Sequence, residues 1–269
     1  MNTHIYRFEL HTHLRSVLTW SFAVVILMLL FMSLFPGFAD QALLMNQIME
    51  RFPVQLRDAF GLANLDLSST LGYFSFLFVF VQLCLAIQAS NYGFGLVSIE
   101  DTELTADFLL SKPISRAEVL TSKLLAVLTS LVLTDLVVWL SSFTTIWLFS
   151  GTNPYEMKAM LLLLLSIIPF QLFFLCVGLV ISLLVRRVYS VTPYALGLSF
   201  GMYIMSAFTG IFDEVMLEYI TPFKHFDTAF IVKNTSYDMP LLLLNIAISG
   251  LCLGLSYWCY IQRDVPAVT

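Results

Sequence analysis

Hydrophobic residues in this chain come in long unbroken runs. Six runs, near residues 17–36, 71–98, 118–149, 159–185, 190–212 and 240–261, are each long enough to cross a hydrocarbon core of about 30 Å as an α-helix. They predict an all-α integral membrane protein with six transmembrane helices, the whole of 1–269 forming one transmembrane domain. The second run differs from the others: Gln82, Gln88, Asn91, Gly93 and Gly95 interrupt it. Polar and small residues inside a span predict a helix that faces protein or a cavity. Pro169 and Pro193 predict kinks in the fourth and fifth spans.

The segments between the runs carry patterns of their own. Over residues 4–18, His4, Arg7, His11 and Arg15 share one helical face, and Tyr6, Leu10, Leu14 and Val17 share another. This predicts an N-terminal amphipathic helix at the membrane interface, ahead of the first span. The run from Val17 to Phe35 is long for a leader core and no small-x-small site follows it, so a retained first helix is expected. In the loop 37–70, a helix is expected from Asp40 to Phe52, stopped by Pro53. In the loop 213–239, Tyr219, Phe223, Phe226 and Phe230 recur at helical spacing around Pro222. Two readings stay open there, a short helix dipping into the outer leaflet and an aromatic anchor at the interface.

The segment between the second and third runs is dense in charge. Glu100, Glu103 and Asp107 line one helical stripe, and Val97, Leu104 and Phe108 another, before Pro113 breaks the helix. Ser115 then stands three residues before Glu118, a capping box that opens a new helix at Arg116. From there to Phe149 is about 34 residues, or about 50 Å, well beyond a hydrocarbon core of about 30 Å. The first turns, with Arg116 and Lys123, are therefore expected to project from the apolar layer, making a rigid lever between spans two and three.

Composition narrows the function. The chain is 59% hydrophobic and 12% charged, about half the charge fraction of a soluble domain, so lipid is its main solvent. A net charge of −5 argues against nucleic-acid binding. Cys84, Cys176, Cys252 and Cys259 lie in apolar runs without CxxC spacing and read as buried thiols. His4, His11, His13 and His225 all fall outside the spans, against an intramembrane enzyme, and His11 and His13 diverge on a helix. Arg7, Arg15, Lys112, Arg116, Lys123, Arg186, Arg187 and Arg263 flank one side of the membrane. Arg51, Arg57, Lys158, Lys224 and Lys233 flank the other, so both termini are expected in the cytoplasm. No G-x-x-x-x-G-K-[ST] phosphate loop is present, so ATP hydrolysis, catalysis, a metal and a cofactor are not expected of this chain itself.

Asp135 lies in the middle of the third run, where a charge costs about 2.5–3.5 kcal/mol or more. It reads either as a substrate or proton contact in a translocation path, with Gln82, or as a carboxyl linking helices through Gln82, Gln171 or Asn245.

The stretch Glu100-Asp101, then Thr105-Ala106-Asp107-Phe108-Leu109-Leu110-Ser111-Lys112-Pro113-Ile114-Ser115-Arg116, then Lys123-Leu124-Leu125, resembles the cytoplasmic signature of type-2 ABC transporter permeases. The order of elements agrees over essentially the whole chain, including Thr221-Pro222-Phe223 before the last span. Leu104 departs from the pattern, standing where glycine is usual, and favours a continuous helix there. The resemblance implies the membrane subunit of an ABC exporter in the plasma membrane. It implies a short cytoplasmic coupling helix between helices 2 and 3, with Glu100, Asp101, Glu103, Asp107, Phe108, Pro113 and Arg116 contacting a separate ABC ATPase subunit. It also implies ATP and Mg bound by that partner, and a second permease chain, identical or homologous. The alternative is an ion-coupled secondary transporter using Asp135, which predicts inverted repeats that this chain does not display.

Overall fold

The computed structural model describes residues 2–41, 51, 57, 65–103, 114–151, 153–185, 190–212 and 215–262, with the backbone alone for 99–103, 210–212 and 215–216. Nine helices are found among them. In chain order they are α1 (Thr3–Asp40), α2 (Thr70–Glu103), α3 (Arg116–Phe149), α4 (Met157–Leu184), α5 (Val191–Phe212), α6 (Val215–Glu218), α7 (Pro222–His225), α8 (Thr228–Asn234) and α9 (Met239–Gln262). No strand occurs among the described residues, and α1, α2, α3, α4, α5 and α9 are long and apolar enough to cross a membrane. The six expected spans and the all-α membrane class are found.

Helix ends follow local chemistry. Ser115 has an extended backbone and its Oγ accepts from Glu118 N at 3.2 Å, so α3 starts at Arg116 as the capping box predicts. Asn2 Oδ1 accepts from His4 N and Ile5 N and starts α1. Two expectations change. The interfacial segment 4–18 is not a separate element: α1 runs without a break from Thr3 through the first span, because no glycine or proline lies between them. Pro193 makes no mid-span kink. It is the third residue of α5, in a first turn whose N–H groups have no intrahelical acceptor to lose. Pro169 lies inside α4. The helix expected from Asp40 to Phe52 falls largely outside the described residues, as does the segment 104–113.

Two tight pairs organise the bundle. α3 packs chiefly along α1, and α2 chiefly along α4, with fewer contacts crossing between the pairs. The α2–α4 contact is a close backbone approach at Gly93, where a Cβ would lie 2.3 Å from Leu175 O. Buried aromatics pack elsewhere along α4, Phe170 tilted against Phe174 and edge-on to Phe223, both at 5.1 Å. α5 and α9 are the most open of the long helices, presenting Phe200, Ile204, Leu251 and Trp258 outward.

Candidate functional site

Three polar groupings interrupt the apolar interior, and each is set by residues from different helices. The first lies where α2 ends and α3 begins. Lys123 is buried two turns into α3, and its Nζ lies 3.1 Å from Glu9 Oε1 of α1 while donating to Leu96 O of α2 at 3.0 Å. Asn2 N donates to Ser122 Oγ at 2.7 Å, and the Tyr6 and Thr129 hydroxyls bond at 3.0 Å. Across α3, Thr121 Oγ1 and Tyr257 OH lie 2.8 Å apart, and Arg116 Nη1 donates to Ile261 O at 3.3 Å. The start of α3 is thus tied to α1, α2 and α9 at once. His13 sits 4.7 Å from the Tyr92 ring, and burial pushes its imidazole below the ordinary range, against the pull of Glu9 and with the push of Lys123.

The second grouping continues inward. Tyr92 OH donates to Ser16 Oγ at 3.2 Å; Gln88 Nε2 donates to Tyr92 OH at 3.3 Å and to Thr134 Oγ1 at 2.9 Å. The next residue of α3 is Asp135, which is 7% exposed. Gln171 of α4 is the side chain that approaches its carboxyl, yet their geometry falls short of a hydrogen bond. Asp135 Oδ1, Gln171 Nε2 and Gln88 Oε1 are all buried and unpartnered, as is Trp139 Nε1 one turn further along α3. Of the linking partners expected for Asp135, Gln171 is the one brought to it.

The third grouping resolves the loop 213–239. Its chain turns back into the bundle. Gln82 Nε2 donates to Phe226 O, the residue closing α7, at 3.2 Å, and Gln82 lies about 18 Å along α2 from its start. Thr221 Oγ1 donates to Met202 O at 2.8 Å; His225 Nδ1 meets Asn245 Nδ2 at 3.3 Å and its Nε2 meets Tyr219 O at 3.2 Å. Phe223 and Phe226 are buried while Tyr219 and Phe230 are exposed. The expected aromatic stripe therefore divides: two rings enter the core and two stay outside. Non-helical backbone at this depth needs internal partners; Gln82 supplies one to Phe226 O, while Asn245 holds the His225 ring and Thr221 ties the segment to α5.

Of the residues singled out for coupling, Glu100, Asp101 and Glu103 lie on the last turn of α2 without described side chains, and Asp107, Phe108 and Pro113 fall outside the described residues. Arg116 opens α3. Gln82 and Asp135 are both buried in the bundle but belong to different groupings. Sequence reasoning passed over Glu9 and placed Lys123 in the family signature and in the projecting start of α3; the structure instead buries Lys123 against α1 and α2. The available signals were Glu9 standing one turn before His13, and a lysine set between the apolar stretches 119–120 and 124–128.

A family model described as "ABC-2 family transporter protein" matches residues 3–265. No curated protein and no solved structure matches the chain.

Proposed function

Because the chain belongs to the ABC-2 transporter family, a family of membrane subunits that are not themselves ATPases, we propose that it is the permease of an ATP-driven exporter. In this reading it forms the translocation path in the plasma membrane, both termini are cytoplasmic, and two permease chains, identical or homologous, work with ABC ATPase subunits that bind ATP and Mg. Residues 100–116 form the docking element. Glu100, Asp101, Glu103 and Asp107 present acidic side chains to the ATPase, Phe108 offers an apolar contact, and Pro113 and Arg116 set the turn into α3.

The observation that carries this reading is the tied start of α3. A push on the segment between α2 and α3 arrives at Arg116 and Lys123. There the bonds to Glu9, Leu96 O and Tyr257 pass it to α1, α2 and α9 instead of letting the helix start bend. ATP binding and release in the partner then bias a two-state bundle, and the permease contributes differential contacts in the two states.

The test is co-purification of the tagged chain from its native membranes, with any ABC ATPase subunit identified by mass spectrometry. Wild type should retain the ATPase, and the triple variant Glu100→Lys/Glu103→Lys/Asp107→Lys should lose it while eluting as a folded membrane protein. Wild type that folds yet captures no ATPase would sink the proposal.

A further inference from the structure

Among the described residues, the middle of α3 carries one formal negative charge, Asp135, and no basic residue. The nearest lysine on α3 is Lys123, twelve positions earlier and so about 18 Å along the axis, and it is already engaged by Glu9 and Leu96 O. The next on the chain is Lys158, beyond the other end of the helix. Gln88 Oε1 on α2, Asp135 Oδ1 on α3 and Gln171 Nε2 on α4 are buried and unmet; Gln171 approaches the Asp135 carboxyl, and Gln88 is joined to α3 through the adjacent Thr134. The Gln171 amide turns its carbonyl inward by a half rotation. Buried polar atoms are ordinarily satisfied, and one left open marks a missing partner.

We propose that Asp135, Gln171 and Gln88 form a binding site for a small monovalent cation, a proton or an alkali ion, at the centre of the bundle. A single carboxylate among neutral oxygens balances one positive charge. Calcium and magnesium sites gather several charged or fixed oxygen ligands, and no group of three His, Cys, Asp or Glu suited to a metal occurs among the described residues. With its N–H₂ turned back toward Asp135, the Gln171 amide is the donor that meets the bare charge when the cation leaves. Asp135 is on α3 and Gln171 on α4, which belong to the two separately packed helix pairs. Occupancy therefore changes the attraction across the seam between them. This inference goes beyond coupling to an ATPase and does not depend on it. Tyr92, reached through Gln88, is the other titratable group bonded into the layer.

The experiment uses the full-length chain in lipid nanodiscs. Melting is followed in sodium, potassium or choline chloride at equal ionic strength and at several pH values, alongside infrared spectra, for wild type and Asp135→Asn. For an alkali ion, each tenfold rise in sodium or potassium, but not choline, raises the wild-type midpoint by a constant step that Asp135→Asn lacks. For a proton, the three salts are equivalent and wild type shows a protonated-carboxyl stretching band that bleaches as pH rises. Its midpoint also falls with rising pH relative to that of Asp135→Asn. Should Asp135→Asn not fold, Asp135→Glu keeps the charge and shifts the band or the ion response. Melting curves and carboxyl bands that ignore ion, pH and the residue at 135 overturn the site. Because every readout is taken on the permease chain alone, a failure to bind an ATPase is a separate result.

Discussion

Gly93→Ala tests whether backbone contact between α2 and α4 sets the core. The added Cβ would stand 2.3 Å from Leu175 O and 3.1 Å from Leu175 C and Leu179 N. Ordinary contact begins at 3.4 Å, so the helices must part locally by 3.4 less 2.3, or 1.1 Å. The obstacle is main chain on a packed helix, which has no rotamer through which to yield. Overpacking of this kind costs about 1–3 kcal/mol, and the higher helix propensity of alanine returns up to about 1 kcal/mol. A net loss of roughly 1–2 kcal/mol lowers the melting midpoint by about 2–8 °C. Four other glycines serve as internal controls: a Cβ at Gly197, Gly201, Gly250 or Gly254 meets nothing within 4 Å. Their alanine variants are expected to melt with wild type or slightly above it. The assay is thermal unfolding in detergent read by a thiol-reactive dye, which reports exposure of buried Cys176. Gly93→Ala melting at or above wild type, or Gly197→Ala falling as far, would refute the close-contact argument.

Three further outcomes follow from the polar groupings. Lys123→Met keeps the aliphatic length but strands Glu9 and frees Leu96 O. The pair is neither fully buried nor exposed, so the loss is roughly 1–3 kcal/mol, seen as a lower melting midpoint, and adding Glu9→Gln should recover part of it in a double-mutant cycle. Gln82→Leu leaves the Phe226 carbonyl buried without a donor at a cost of about 1–3 kcal/mol; limited proteolysis should then cut within 219–238 faster than in wild type, and unchanged cleavage would count against the role given to Gln82. His225 is held neutral by burial, which lowers its pKa despite the opposing pull of the Tyr219 carbonyl, Asp238 and the Glu218 backbone. A folded pKa below the unfolded value near 6.5 means the unfolded chain binds more protons in that window. The contribution is complete above about pH 6.5 and is lost as pH falls below it, so the wild-type melting midpoint should drop between pH 7.5 and 5.5. His225→Gln should flatten the part of that slope not owed to His13.

The six helices were legible because a hydrophobic run is a one-dimensional signal: length against bilayer thickness decides it. The start of α3 was legible for the same reason, since Ser115 and Glu118 carry the cap within one turn. The polar character of the second run was also read correctly, and Gln82 and Gln88 are 1% and 0% exposed. What the sequence did not disclose is pairing across distance. Glu9 meets Lys123 only because α1 lies along α3, and no local pattern encodes that. The fate of the four loop aromatics was hidden likewise. Tyr219, Phe223, Phe226 and Phe230 share helical spacing, but the turn at Phe226 and the new cap at Asp227 break the helix between α7 and α8. That break sends Phe223 and Phe226 inward and leaves Tyr219 and Phe230 outside.

In the sequence, Gln82 and Asp135 look alike, each a polar residue in the middle of an apolar run. The structure gives them opposite roles. Gln82 spends its donor on a main-chain carbonyl of a segment that has folded back into the bundle, so it stabilises backbone that could not otherwise exist at that depth. Asp135 closes no such gap and is itself left open, next to an amide that has no partner either. It also lies at the seam where the α1–α3 pair faces the α2–α4 pair, and α3 is the helix whose start is tied by Lys123. In the proposed reading, a displacement entering at that tied end would travel along the continuous helix α3 toward Asp135 and Gln171. A rigid joint at one end of α3 and an unsatisfied charge at its middle therefore make one mechanical unit. On the proposed cation site, motion at the joint would alter the affinity of the layer, and by linkage occupancy of the layer would alter the ease of that motion.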